Sequence, residues 1–271
     1  VSANRTKIRA VKEGTKGTTP TDSVDWFEFP YTSETFKPNV TRGRDGSIIA
    51  DGMPRALPMT DVRYPATLSA EFIAGFFDPF IAAVMGQDDW TTDTVVNGVL
   101  VPTFSIEKEF AYLASGNKFA LYSGMAVRSV KIDVTYGSNA TISIDFVGMG
   151  KTEAATSAVG AGSSAAVGAY NIITGASGFG PLVIGGSAAP ADVITQRYSI
   201  TIARNLVEVT GLGTPIGPKG PPEHGMYDVQ VALGMFHSPA TQGYSETVAT
   251  DTAFDLDVTL SDPASKSYQF D

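Results

Sequence analysis

Apolar side chains recur at every second position through six runs of this chain, a period of two that marks half-buried strands. In RSVKIDVT (128–135), Val130, Ile132 and Val134 share one face, while Ser129, Lys131, Asp133 and Thr135 share the other. The turn formers Gly137, Ser138 and Asn139 follow, and TISIDFV then repeats the alternation with Ile142, Ile144 and Phe146 on the apolar side. The pair predicts a β-hairpin. YDVQVAL (227–233) sets Tyr227, Val229, Val231 and Leu233 against Asp228 and Gln230, and FDLDVTL (254–260) sets Phe254, Leu256, Val258 and Leu260 against Asp255, Asp257 and Thr259. FSIEKEF (104–110) and YSITIAR (198–204) alternate in the same way. One-sided alternation of this kind belongs to antiparallel sheets with one packed face. The expected fold class is therefore mainly β, an antiparallel β-sandwich or barrel.

Helical signal is confined to one place. ATLSAEFIAGFFDPFIAAVMG (66–86) would be a single amphipathic helix only with Pro79 in its interior, at a cost of roughly 3 kcal/mol. Dividing it removes the conflict: ATLSAEFIA becomes a strand with Ala66, Leu68, Ala70 and Phe72 on one face, and residues 78–86 become one short flanking α-helix. Asp78 is its expected cap, Pro79 lies in its first turn and Gly86 stops it. Phe80, Ile81 and Val84 are expected on the sandwich edge, and Asp88, Asp89 and Trp90 at the helix exit.

Around these elements the chain divides into four segments. Residues 1–25 read as a basic arm, and 26–150 as a first β-rich half containing a long polar loop at 37–64. The Ala/Gly/Ser-rich stretch 151–191, with YNIITG and PLVIGG as short strands, connects to a second β-rich half at 192–271. The whole is expected to form one compact unit.

Charge sharpens that division. The formal net charge is −9, yet residues 1–17 carry Arg5, Lys7, Arg9, Lys12 and Lys16 against Glu13 alone. This is a net of +4 at one end and −13 elsewhere. The acidic body argues against binding nucleic acid by phosphate neutralisation. Asp133, Asp145, Asp228, Asp255 and Asp257 all fall on the polar side of an expected strand, with Lys131 as the basic exception. Such a face either serves solubility or meets a polyanion without holding it.

Catalytic chemistry is sparse. The chain has no cysteine, so disulfides, thiolate metal sites and cysteine nucleophiles are excluded. His224 and His237 lack zinc spacing, and the carboxylate pairs Glu107/Glu109 and Asp88/Asp89 have no companion groups nearby in sequence. GLGTPIGPKG (211–220) lacks the lysine and hydroxyl ending of a phosphate loop and reads as a long turn. No enzyme, cofactor or metal is expected. The N-terminus has no apolar core of signal-peptide length and no run of 18 apolar residues occurs, so neither a cleaved signal nor a membrane-spanning helix is expected.

The order of these runs resembles the major tail tube proteins of long-tailed, siphovirus-type bacteriophages. YTSETFKPNVT is followed by the polar loop, LSAEFIAGFFDPFIAAVMGQDDW, FSIEKEFA and LYSGMAVRSVKIDVTYGSNATISIDFVGMGKTE. YSITIARNLVEVTGLGTPIGPKG, MYDVQVALGMF and FDLDVTLSDPASKSYQFD continue the likeness to the end. The resemblance implies a virion protein assembled in the host cytoplasm into rings, usually hexameric, that stack into a tube delivering DNA. It also implies a tape measure protein as partner during assembly, and tail terminator and distal tail proteins at the tube ends. On that basis Asp133, Asp145, Asp228, Asp255 and Asp257 are expected to face the lumen. Arg5, Lys7, Arg9, Arg42, Arg44, Asp45, Arg55 and Arg63 are expected to bridge subunits or rings. The alternative is a non-catalytic β-sandwich module that binds carbohydrate or decorates a capsid.

Overall fold

The computed structural model describes residues 6–21, 26–44, 57–90, 94–113, 116–159, 164–165, 170–190, 192–236, 238–249, 256–264 and 266–270. Its first half contains β1 (Thr6–Lys12), β2 (Trp26–Glu28), β3 (Ser33–Glu34), β4 (Asn39–Arg42), β5 (Met59–Glu71), α1 (Asp78–Val84), β6 (Thr103–Phe110), β7 (Phe119–Thr135), β8 (Thr141–Gly148) and β9 (Gly150–Ala154). The short strands β10 (Ser164–Ala165), β11 (Val183–Ile184) and β12 (Ser187–Ala188) follow. The chain continues with β13 (Thr195–Arg204), β14 (Tyr227–Met235), α2 (Pro239–Ala249), β15 (Leu256–Ser261) and β16 (Ser267–Phe270). The molecule is mainly β with antiparallel pairing, as the alternation predicts.

The long strand β7 organises the architecture because it changes partners along its length. Its first half lies between β6 and β9, and its second half between β13 and β8. Two sheet regions therefore share one continuous strand: β2–β1–β6–β7–β9 and β14–β13–β7–β8–β5. The change occurs near Gly124, whose φ is +64° and where a Cβ would lie 2.6 Å from the Met149 side chain. Register shifts interrupt the pairing with β8 between Val127 and Ser129, where the strand can bend from one layer into the other. A four-stranded sheet, β12–β11–β15–β16, stands apart from this path.

The predicted faces match the packing where both sides of a strand are covered. Val130, Ile132 and Val134 of β7 are buried with Ile142, Ile144 and Phe146 of β8, in the hairpin register Val130↔Ile144 and Ile132↔Ile142. Ala66, Leu68 and Ala70 of β5 are also buried, and Phe72 lies just beyond the strand. Helix α1 is central rather than flanking: Phe80, Ile81, Ala82, Ala83 and Val84 are all buried. The Phe80 ring meets Phe104 at 4.9 Å, Phe146 at 5.4 Å and Phe29 at 5.7 Å between centroids. A helix this short gains its stability from such packing.

The cap differs from the expectation. Phe77 occupies the N-cap position without a side-chain cap, and Asp78 is already helical. The Asp78 carboxylate instead accepts a hydrogen bond from the Tyr268 hydroxyl, tying α1 to β16. Burial pushes the Asp78 carboxyl up from its usual value, against the pull of that hydrogen bond and of Lys266. Gly86, at φ +73°, ends the helix as predicted.

Three further expectations change. Residues 6–12 of the supposed arm form β1, paired with β6 from Thr6↔Phe110 to Lys12↔Phe104, with Ile8, Ala10 and Val11 buried. Glu13, the one acid there, is buried and accepts hydrogen bonds from Thr103 Oγ1 (2.7 Å), Ser105 Oγ (2.7 Å) and the amides of Gly17 (2.6 Å) and Gly124 (2.9 Å). Both ends of the 37–64 loop are strands: β4 pairs with the start of β5 from Asn39↔Arg63 to Arg42↔Met59. The second half also holds a helix, α2, that period-two reading passes over. PLVIGG contributes β11, whereas in YNIITG Ile172 and Thr174 make only isolated bridges, to Ile73 and Asn139.

Candidate assembly surface

Strand registers decide which polar residues can act together. Across β14, β13, β7, β8 and β5, the rows Ala232–Ser199–Asp133–Thr141–Glu71, Gln230–Thr201–Lys131–Ser143–Ser69 and Asp228–Ala203–Ser129–Asp145–Thr67 lie side by side. Paired residues of an antiparallel ladder point to the same side, so these rows make one polar face. Asp133, Asp145 and Asp228 are brought together on it as the alternation suggested. Asp257 is not, because it belongs to β15 in the separate small sheet, opposite Val183. Asp255 lies outside the described residues.

The carboxylates on this face are not bare charges. Asp145 accepts from Thr67 Oγ1 at 2.7 Å and Ser129 Oγ at 2.9 Å. Asp133 pairs with Lys131 and with Arg197 at 3.0 Å. Burial alone would raise the Asp133 carboxyl, but the bonds from Lys131, Arg197 and Ser199 and the Lys131 charge outweigh it and hold it below its usual value. Asp228 accepts from Gln230 Nε2 at 2.9 Å. Glu71 accepts from Asn139 Nδ2 at 2.8 Å. Four carboxylates therefore stand with two cations among a field of serine and threonine hydroxyls. A shallow depression on the face is lined by Lys131, Arg197, Ser199, Thr201 and Gln230. The face is hydroxyl-rich and mildly acidic.

The sheet ends at β14, which pairs only with β13. Beyond it a row of backbone donors and acceptors has no strand neighbour among the described residues, and such an edge is a template for another strand. On the other side of β14, Val229 and Val231 are exposed although their neighbours on β13, Ile202 and Ile200, are buried.

The expected bridging residues scatter. Arg9 is held inside the chain: it donates to Glu107 Oε1 at 3.0 Å and Glu109 Oε2 at 2.5 Å, and Glu28 lies 3.9 Å away. Glu107 is buried and also accepts from Ser157 Oγ and the Ala158 amide. The carboxylate pair thus finds its companion in an arginine from the strand alongside, through the register Arg9↔Glu107. Lys12 pairs with Asp88 at 2.8 Å, which places another of the basic charges within its own molecule. Arg63 is engaged by Asp61 and Glu208. Lys7, Arg42 and Arg44 are exposed, Arg42 making one long bond to the Leu57 carbonyl at 3.4 Å. Arg5, Asp45 and Arg55 lie outside the described residues.

Arg204 was not singled out by the sequence pattern. It is buried at the end of β13 and donates to the carbonyls of Ala83 (3.5 Å) and Leu100 and to His224 Nδ1 (3.0 and 2.8 Å), with its guanidinium 5.4 Å from the Tyr227 ring. Desolvation lowers its pKa. It fastens α1 and the 98–101 loop to the β13–β14 hairpin, and the lone histidine of a proline-rich turn serves as its acceptor.

Among the described residues no cluster of three or more metal-ligating side chains occurs, and no helix is long and apolar enough to cross a membrane. A family model described as phage tail tube protein matches residues 3–271. A search of curated proteins gives no match.

Proposed function

Because the chain belongs to the phage tail tube protein family and is a structural component of the virion tail, we propose that its polar sheet lines the tube lumen. The supporting observation is the sheet β14–β13–β7–β8–β5, with one continuous polar face, an opposite face packed from β13 to β5, and an open terminal strand. Copies in a ring, six by the expectation for the family, would join their sheets edge to edge through β14. Closure into a barrel removes the exposed edges.

The passing DNA would then meet hydroxyls and partly neutralised carboxylates. Weak net repulsion keeps phosphates from settling, and the hydrogen bonds on Asp133 and Asp145 keep those side chains from reaching into the channel. At physiological salt the repulsion fades beyond about 8 Å, so it acts at the wall rather than across the bore. The β4–β5 hairpin, with Arg42 and Arg44 exposed near its end, would reach a neighbouring copy. Arg9 and Arg63 drop out of that role because acids of their own chain hold them.

Electron microscopy of the purified protein tests assembly: rings with a central channel, stacked into tubes, are expected, and a subunit that stays monomeric at high concentration would overturn the proposal. Phage carrying Asp133→Lys with Asp145→Lys tests the lumen. Normal tubes with impaired DNA delivery are expected, whereas normal delivery would move the lumen elsewhere.

A further inference from the structure

The strands that form the polar sheet carry large apolar residues at both of their ends. At one end, Tyr136 follows β7, Ile194 precedes β13 and Phe236 follows β14. They are 73%, 55% and 52% exposed. The strand ends that carry them are joined through the backbone, the Tyr136 amide donating to the Gln196 carbonyl at 2.9 Å, two residues from Ile194, and the Phe236 amide to the Ile194 carbonyl at 3.0 Å. These three residues therefore form one tip on three adjacent strands.

At the other end, Met226 precedes β14 and is bonded through its carbonyl to the Asn205 amide at 3.0 Å. Val99 and Leu100 stand beside it, because Tyr227 donates to the Gly98 carbonyl at 2.6 Å and Arg204 to the Leu100 carbonyl. All three apolar side chains are exposed. The ten residues of β13 separate the two tips by about 30 Å.

We infer that each ring of the tube seats on the next through these tips, the Tyr136–Ile194–Phe236 end of one copy packing on the Val99–Leu100–Met226 end of a copy in the adjacent ring. The inference rests on the ring-forming tube proposed above. Two different patches at opposite ends of the same strands make a head-to-tail contact, and such a contact does not close on itself but propagates as a filament. Apolar tips rather than the basic segment at the N-terminus then drive stacking, in keeping with Arg9 and Lys12 being held by Glu107, Glu109 and Asp88.

The size of the tips also sets the order of assembly. Taking roughly 150–250 Å² for a whole aromatic side chain, the first tip offers on the order of 300 Å². A stable pair of free subunits needs about 800 Å² from each partner. One tip is too small to hold two subunits, whereas a ring presents many tips at once and gains by multivalency. Rings form first and stacks second.

Complementation tests the pairing. Ile194→Asp with Phe236→Asp blocks one tip, and Val99→Asp with Met226→Asp blocks the other; all four side chains are exposed, and thermal melting checks that each subunit folds as the wild type does. Each variant alone is expected to give single rings without tubes, and preformed rings of the two, mixed, to give stacks of two rings and no longer. Tubes of normal length from either variant overturn the tip contact while leaving the ring proposal standing. Two-ring stacks from one variant alone also overturn it, since they require like-with-like contact, as does a mixture that stays as single rings. A wild-type chain that forms no ring at all removes the ring proposal and the tip contact together.

Discussion

Strands β13 and β14 are hydrogen-bonded neighbours with the same alternation, yet their apolar residues have opposite fates. Ile202 is 7% exposed and its partner Val229 55%; Ile200 is 5% exposed and its partner Val231 43%. Propensity and register cannot explain the contrast, because both strands share them. Coverage explains it: β13 has β7 on its other side and α1 packed against it, whereas β14 pairs with β13 alone among the described residues. A period of two reports which side of a strand is made to be covered. It does not report whether the cover comes from the same chain.

The largest expected effect that separates the two strands is on β13. Ile202→Ala should destabilise the isolated subunit by about 2–4 kcal/mol, because a buried cavity is left behind. Urea denaturation measures it, and a loss below 1 kcal/mol would show that the site is not packed as described. Next comes Arg204→Ala, which removes the buried donor to the Leu100 carbonyl and to His224 Nδ1, while the Ala83 carbonyl keeps its bond from the Gly86 amide. A cost of about 2–3 kcal/mol is expected, with the β13–β14 hairpin losing amide-exchange protection before the β7–β8 hairpin does.

Acid should loosen β13 from β7 more gently. The Asp133 carboxyl is held below its usual value, so its contribution to stability is fully present above the unfolded-state pKa near 4 and is lost as pH falls through the lower folded value. Asp133→Asn should flatten that part of the stability–pH curve, and an unchanged curve would mean that the ion pairs with Lys131 and Arg197 contribute nothing. The smallest effect belongs to β14. Val231→Ala should change subunit stability by no more than about 0.5 kcal/mol, as exposed substitutions do. Ring yield should nevertheless fall in sedimentation analysis, and equal yields would mean that β14 meets no neighbour there.

The fold was most legible where a run and its cover are both local. The β7–β8 hairpin could be read because its turn residues and both alternating arms are contiguous, and α1 because Pro79 and Gly86 bound it. Legibility failed where the partner is distant. TKIRAVK alternates only from Lys7 to Ala10, and its cations suggested a solvated tail until Glu107 and Glu109, about a hundred residues away, were brought beside Arg9. Asp257 shows the complementary limit: alternation places a side chain on a polar face without saying which sheet owns that face. Arg197 was missed because its strand starts three residues before YSITIAR and the cation faces Asp133 only through pairing with β7.

The course of β7 has a mechanical consequence. Layers that touch only through side chains can slide past one another when pulled, because the contacts between them are individually weak. Here one strand of 17 residues runs through both sheet regions. A pull on the polar-faced wall is passed to the other region along the peptide backbone itself. For the two regions to part, the ladders flanking β7 must be sheared open together, so each subunit resists stretching along that strand as a single tendon.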